Sequence, residues 1–329
     1  MALDGKLLAR AKAAHQEKKR VNDENYERRL ENAYTRVPGL RALDAEIRAT
    51  MSDLVSATLT PGGDGRIEDI RLRNIELQGE RHRVLLNAGY SDSYLNDDYD
   101  CPDCRDTGYI GINICDCLME LYKEEQKASL SNLFKLGTET FDSFSLSFYD
   151  DTPSPETGIS PRQSMSIIYE TCVAYAHKFG EYSMNLFLIG APGLGKTFLS
   201  ACIARVVAEN GHSVVYDMVS SVFSRFEEAK FSRSDDLDEV RSNIKRYLEC
   251  DLLILDDLGT EMSTAFTVSA LYEIINTRLV TGRKTIVSSN LPLFDLRRRY
   301  SDQIMSRIEG EYQMLTFCGE DIRKIKNTL

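Results

Sequence analysis

Residues 190–197 read Gly-Ala-Pro-Gly-Leu-Gly-Lys-Thr, which fits the GxxxxGK[ST] spacing of a phosphate-binding loop. No other feature limits the possible folds of this chain as tightly. Such a loop works where a buried strand delivers the chain into a glycine turn and a helix starts where the phosphates will lie. Both neighbours are present. The apolar run Leu186-Phe187-Leu188-Ile189 precedes the loop, and a helix-like stretch, Phe198 to Glu209, follows it. Gly190, Gly193 and Gly195 let backbone N–H groups point inward, Ala191, Pro192 and Leu194 complete the cradle, and Phe198 opens the helix behind it. Lys196 reaches the outer phosphates, and the Thr197 hydroxyl suits Mg²⁺. A nucleoside triphosphate with Mg²⁺ is the expected ligand.

About sixty residues on, a second apolar strand, Leu252-Leu253-Ile254-Leu255, ends in Asp256-Asp257. A strand ending in acid beside a phosphate loop brings a carboxylate to the Mg²⁺ shell. Asp256 is the expected metal residue, and Asp257 is placed to orient or deprotonate the attacking water. A third strand, Thr285 to Ser288, leads to Asn290, whose amide suits a water near the outer phosphate. Downstream lie Gln303 to Ile308, a helix-like turn carrying Arg307, and a closing segment, Gly319 to Arg323.

A different chemistry sits upstream. Cys101 and Cys104 form one close pair, Cys115 and Cys117 another, with ten residues between them. Four thiolates at this spacing can hold one tetrahedral Zn²⁺, and Gly108 and Gly111 supply the reversal that brings the pairs together. All four positions would be sulfur, so the site is structural rather than catalytic. A redox dithiol or free thiols remain the alternative. Cys172, Cys202, Cys250 and Cys318 read as small buried side chains.

Around these motifs, residues 1–95 carry apolar positions at three- and four-residue spacing, through Leu40, Leu43, Ile47, Met51 and Leu54, then from about Ile67 to Ala88, with a turn at 60–65 between them. This region is expected to be helical and to contact a partner, or else to be a stabilising appendage. Residues 96–135 hold the cysteine module and a helix, 136–163 read as a linker, and 164–329 alternate helices with short strands, as in a parallel α/β sheet. No apolar run approaches the ~20 residues that cross a bilayer, and Met1 to Arg20 is too charged for a secretory signal, so no membrane partner and a cytoplasmic location are expected. The net charge of −11 argues against a protein that coats nucleic acid over its whole surface. Arg297-Arg298-Arg299 is the clearest local basic cluster.

Residues 164–329 resemble the AAA+ ATPases of the DnaC/DnaI helicase-loader and IstB type, through GAPGLGKT, LLILDDLG, TIVSSNL and SRIEG…GEDIRK. The cysteine module ahead of the ATPase looks more like the DnaI type. The resemblance implies an AAA+ P-loop core with a parallel sheet, preceded by a small helical domain and a zinc-binding module. It implies ATP as the nucleotide, hydrolysis stimulated by assembly or DNA, and self-association through the ATPase domain. By the same resemblance Asn290 matches sensor 1, Arg307 an arginine finger serving a neighbouring subunit, and Arg323 a sensor-2 arginine. Asp257 stands where many relatives carry Glu, and little chain follows Arg323 to form a helical lid.

The leading expectation is therefore a loader of a replicative DNA helicase onto single-stranded DNA. Phe223, Phe226, Lys230, Phe231 and Arg233 are candidates for DNA contact, with a core helix as the equal alternative. An IstB-like transposition helper on duplex DNA, a small-molecule kinase and a non-hydrolysing adaptor are the competing functions.

Overall fold

The computed structural model describes residues 3–58, 64–91, 93–96, 99–134, 139–155, 158–231 and 244–326, so most of the expected 60–65 turn lies outside it. The chain divides into two compact units: Lys12–Leu118, and Met1–Ala11 together with Met119–Leu329.

The smaller unit is built from α1 (Gly5–Arg36, whose first residues belong to the larger unit), α2 (Leu40–Thr58) and α3 (Asp64–Asn87). Gly39, at φ +87°, turns the chain between the first two helices. Ala33, Val37 and Leu40 pack there with Leu85 and Leu95. A buried acid, Asp44, links all three helices, with Arg81 Nε at 2.6 Å and the Tyr34 hydroxyl at 2.9 Å. Met51 and Ile75, apolar positions in the sequence pattern, lie on the solvent face. The cysteines flank a short antiparallel hairpin, β1 (Tyr109–Ile110) with β2 (Asn113–Ile114), and α4 (Asp116–Phe134) follows.

In the larger unit the alternating helices and strands fold as their order predicts. Five parallel strands, β3 (Asn185–Ile189), β4 (Val214–Met218), β5 (Leu252–Leu258), β6 (Lys284–Ser289) and β7 (Tyr312–Thr316), form one sheet in the order β4-β5-β6-β3-β7. Every residue of β3 is buried, as both faces of a parallel sheet are covered. Its alternate side chains serve two cores. Leu186 and Leu188 pack with α5 (Pro161–His177) and α6 (Lys196–Glu209). Phe187 and Ile189 pack with α7 (Val219–Phe231), α8 (Ala265–Val280), α9 (Leu293–Arg299) and α10 (Asp302–Glu311). Local signals fix the helix starts: at α5 the Ser160 hydroxyl accepts from Gln163 N–H, the Gln163 side chain returns to Ser160, and Pro161 occupies the first turn.

One strand differs from expectation. The sequence places the end of the second strand at Leu255, but β5 continues through both acids to Leu258. Its pairing with β6 is interrupted between Leu255 and Leu258, where Asp257 takes a left-handed φ of +60°. The Asp257 N–H finds the Ser288 hydroxyl at 3.0 Å. This irregularity turns consecutive acids to different partners, which a regular strand would send to opposite faces.

Candidate functional site

The β3–α6 junction lies at the carboxyl end of an interior strand, with β6 on one side and β7 on the other. Ligands of open α/β sheets bind in this crevice, at the carboxyl ends of the strands. The glycine turn has no room for side chains. A Cβ on Gly190 would lie 2.5 Å from the Phe317 carbonyl oxygen, and one on Gly193 1.8 Å from Asp321 Oδ1. Ala191 and Pro192 are exposed, while Leu194 is buried. The Leu194 carbonyl accepts the Tyr149 hydroxyl at 2.9 Å, and Phe144 packs between Tyr169 and Phe198. An aromatic wall from residues 141–149 thus backs the loop, a role that its sequence did not announce.

Lys196 is 5 % exposed and donates to the carbonyls of Gly190 at 2.7 Å and Ala191 at 2.8 Å, and to Asn290 Oδ1 at 2.7 Å. The other end of Asn290 donates to Asp257 Oδ1 at 2.8 Å. Thr197 donates to Asp256 Oδ2 at 3.0 Å. The Tyr216 hydroxyl reaches the same oxygen at 2.6 Å, and Ser288 donates to Oδ1. The structure therefore gathers Lys196, Thr197, Asp256, Asp257 and Asn290 from the ends of two neighbouring strands, β5 and β6, and the first turn of α6. Tyr216 and Ser288 belong to the same set and were missed. The available signal was a tyrosine in the aliphatic strand Val214-Val215-Tyr216, beside the strand that ends in acid.

Burial sets the electrostatics. It pulls the Lys196 ammonium below its ordinary pKa, with the positive charge of Arg323 adding to the effect and Asp257 and Asp256 opposing it. It lifts the Asp257 carboxyl above its ordinary value, with Asp256 adding repulsion. Tyr216 is pushed well above the ordinary phenol range by burial and by Asp256, so its hydroxyl keeps its proton and donates. Arg323 is exposed on the short helix α11 (Ile322–Lys326), yet its charge acts on both Lys196 and Asp257. Ile322 N–H bonds the Gly193 carbonyl at 3.1 Å, and Asp321 Oδ1 accepts from Arg323 N–H at 3.0 Å, so this helix starts against the loop.

Arg307 has other neighbours. Its guanidinium bonds Asn276 Oδ1 at 2.8 Å and the Tyr272 hydroxyl at 3.3 Å, and it lies over the Tyr272 ring. It lines an open hollow of about 440 Å³ with Asn276, Val280, Ser306 and Glu311.

The expected DNA contacts are corrected by burial. Phe223 and Phe226 are only 4 % and 6 % exposed and pack in the core with Tyr247, so neither can stack on a base. Lys230 lies over the ring of Phe266. Arg233 and the side chain of Phe231 fall outside the described residues. The basic cluster is partly neutralised: Arg297 pairs with Glu309 at 2.8 Å and Arg299 with Glu261 at 3.8 Å, while Arg298 lies over Phe294.

In the smaller unit the four cysteines converge. The sulfurs of Cys101, Cys104, Cys115 and Cys117 all lie within 4.8 Å of one another. Cys101 and Cys115 are 3.7 Å apart, Cys104 and Cys117 3.5 Å. Bonds of ~2.3 Å to a tetrahedral Zn²⁺ put sulfurs roughly 3.8 Å apart, so the set fits that ion. The knuckle is shaped by Arg105 and Asp106, both left-handed at φ +49° and +56°. Asp106 accepts N–H groups from Asp100 and Cys101 and the Asn22 amide. Gly108 N–H donates to Cys104 Sγ at 3.3 Å, and His15 Nε2 lies 3.5 Å from Cys117 Sγ. Burial raises the Cys104 thiol, but the Gly108 N–H and the neighbouring thiols outweigh it and bring it down to about 7. Cys172, Cys202 and Cys250 are buried and Cys318 half-buried.

The glycine loop, the parallel sheet and the acid pair define a P-loop nucleotide-binding domain of the AAA+ class. Residues 173–324 match the family of IstB-like ATP binding proteins. The chain is 26 % identical over 151 residues to the replicative helicase loader DnaC of Buchnera aphidicola, covering 46 % of this chain and 61 % of that protein. It is 29 % identical over 171 residues to the chromosomal replication initiator protein DnaA of Thermomicrobium roseum, covering 48 % and 35 %. A putative insertion sequence ATP-binding protein of Sinorhizobium fredii is 30 % identical over 122 residues, covering 37 % and 39 %. The chain thus spans about three-fifths of the DnaC relative and less of the others. A solved DnaC helicase loader has a TM-score of 0.45 at 21 % identity, covering 55 % of this chain and 97 % of that one. A solved DnaI has 0.43 at 23 %, covering 56 % and 91 %.

Among the described residues, no helix is long and apolar enough to cross a membrane.

Proposed function

We propose that this protein hydrolyses ATP and loads a replicative DNA helicase onto single-stranded DNA. The observation that carries the ATPase reading is the continuous set of hydrogen bonds from Lys196 through Asn290 to Asp257, beside Thr197 and Asp256. In this reading the loop 190–197 cradles the phosphates, and Lys196 exchanges its carbonyl partners for phosphate oxygens. Thr197 and Asp256 serve Mg²⁺, which when bound screens charge on the phosphates. Asn290 and Asp257 hold the attacking water, and the raised Asp257 carboxyl is the better base for it. Arg323 adds positive charge over the outer phosphate. Arg307, poised at an exposed hollow, serves the nucleotide of a neighbouring copy, where a guanidinium stabilises charge developing in the transition state.

The loader role rests on the DnaC relative and on the helical unit with its cysteine cluster, which we assign to the helicase partner with Zn²⁺ as its staple. Domain roles follow: 1–95 and 96–135 for partner binding, 136–163 as a connector whose aromatic segment also backs the phosphate loop, 164–329 as ATPase. The insertion-sequence relative supports a second reading, a transposition helper on duplex DNA.

Two measurements test this. Phosphate release should rise with protein concentration and with single-stranded DNA, and Arg307→Ala should lose that rise while still binding ATP. Unchanged stimulated turnover removes the finger. Capture on the intact protein should retain replicative helicase and not transposase; the reverse favours the second reading.

A further inference from the structure

Asp256 is 3 % exposed and forms no ion pair with Lys, Arg or His among the described residues. Among the described residues, the hydrogen bonds to its carboxylate come from hydroxyls. Ser288, on the neighbouring strand β6, donates to Oδ1. Thr197 and Tyr216 both donate to Oδ2. These donors differ in kind. Thr197 is exposed at the start of α6, open to a ligand arriving at the loop. Tyr216 is 5 % exposed, on β4, and its 2.6 Å bond is the shorter of the two to Oδ2. Thr197 meets an arriving ligand, whereas Tyr216 and Ser288 hold the carboxylate from buried positions on the two flanking strands. Strands β4 and β5 are register-locked from Val214↔Leu252 to Met218↔Asp256, which fixes where the phenol stands.

We infer that Tyr216 is a positioning residue for the divalent cation: its hydroxyl holds the Asp256 carboxylate in the orientation that accepts the metal accompanying the triphosphate. The inference rests on the ATP·Mg²⁺ reading. The hydrogen bonds of Lys196 and the Tyr149 bond to the loop carbonyl do not involve this hydroxyl, so binding of nucleotide without metal is expected to survive its loss. Without the phenol donor, the carboxylate keeps one fewer anchor and rotates away from the metal-ready orientation. Partners of this kind typically govern metal affinity by 10- to 100-fold.

The test is equilibrium dialysis of radiolabelled ATP against the full-length protein, across a magnesium chloride titration and separately in EDTA. Tyr216→Phe removes only the hydroxyl. The magnesium concentration at half-effect should rise roughly tenfold, the low end of that range, with affinity in EDTA unchanged. A half-point that stays or falls overturns the inference, as does an equal loss of affinity with and without magnesium. Should Tyr216→Phe fail to accumulate, Tyr216→Met is read the same way. If the wild-type protein binds no ATP under either condition, the nucleotide reading has failed first, and the two failures are thereby distinguished.

Discussion

The two chemical sites are held together by different forces. At the nucleotide site, Asp256, Ser288 and Tyr216 are fixed by a five-stranded sheet whose central strands are buried on both faces. Packing of the sheet orders these groups. The cysteine module has little regular structure of its own: two-residue strands and left-handed turns at Arg105 and Asp106. Its order depends on what the four sulfurs share. A large core can preorganise charged groups against their desolvation, whereas a small loop-rich segment needs a staple. The sites should therefore respond differently to metal removal, charge deletion and pH.

The largest expected effect is on the module. Structural Zn²⁺ sites supply on the order of 10 kcal/mol of apparent folding energy. A strong chelator, or Cys104→Ser, should abolish the lower melting transition in calorimetry of the whole protein while leaving ATP binding intact. A single unchanged transition after complete zinc removal would erase the contrast. Next is Lys196→Ala, expected to lower turnover by roughly 10²- to 10³-fold, the usual cost of one lost charge-stabilising donor. The fold should survive it, since the buried ammonium is already disfavoured by desolvation.

Smaller effects separate function from stability within the nucleotide site. Asp257 has a raised folded pKa, so its contribution to stability is fully present below the ordinary carboxylate value and is lost as pH rises through the folded one. Asp257→Asn should therefore stop hydrolysis, preserve ATP binding and raise the melting temperature at pH 7 by about 1–2 °C. The gain should vanish on acidification, and a gain that persists in acid would mean that charge relief is not its cause. The smallest is Tyr149→Phe, which strips the donor from the buried Leu194 carbonyl and should cost about 1 kcal/mol in denaturant unfolding. No change would mean that the aromatic wall does not brace the loop.

Much of the nucleotide site was legible because its signals are local. A glycine loop between an apolar run and a helix implies its own geometry, and strands that end in acid or amide announce themselves one at a time. Four cysteines at short spacing are equally plain. Other readings failed or were missing because they depend on which face a residue takes. Phe223 and Phe226 look the same in sequence whether they stack on a base or fill a core. Arg297 and Arg299 form a basic run only until Glu309 and Glu261 fold back onto them.

The sequence by itself determined the class of the larger unit, the phosphate loop, the acid pair and the cysteine set, since each rests on residues whose spacing along the chain is their spacing in space. Tertiary structure alone decided that β5 runs on through its acids, that Tyr216 and Ser288 clasp Asp256 from neighbouring strands, and that α11 brings the charge of Arg323 to bear on Lys196 and Asp257. Those groups lie from 32 to 127 residues from their partners along the chain. Only the order of strands in the sheet sets such pairings, and that order is a property of the packed whole.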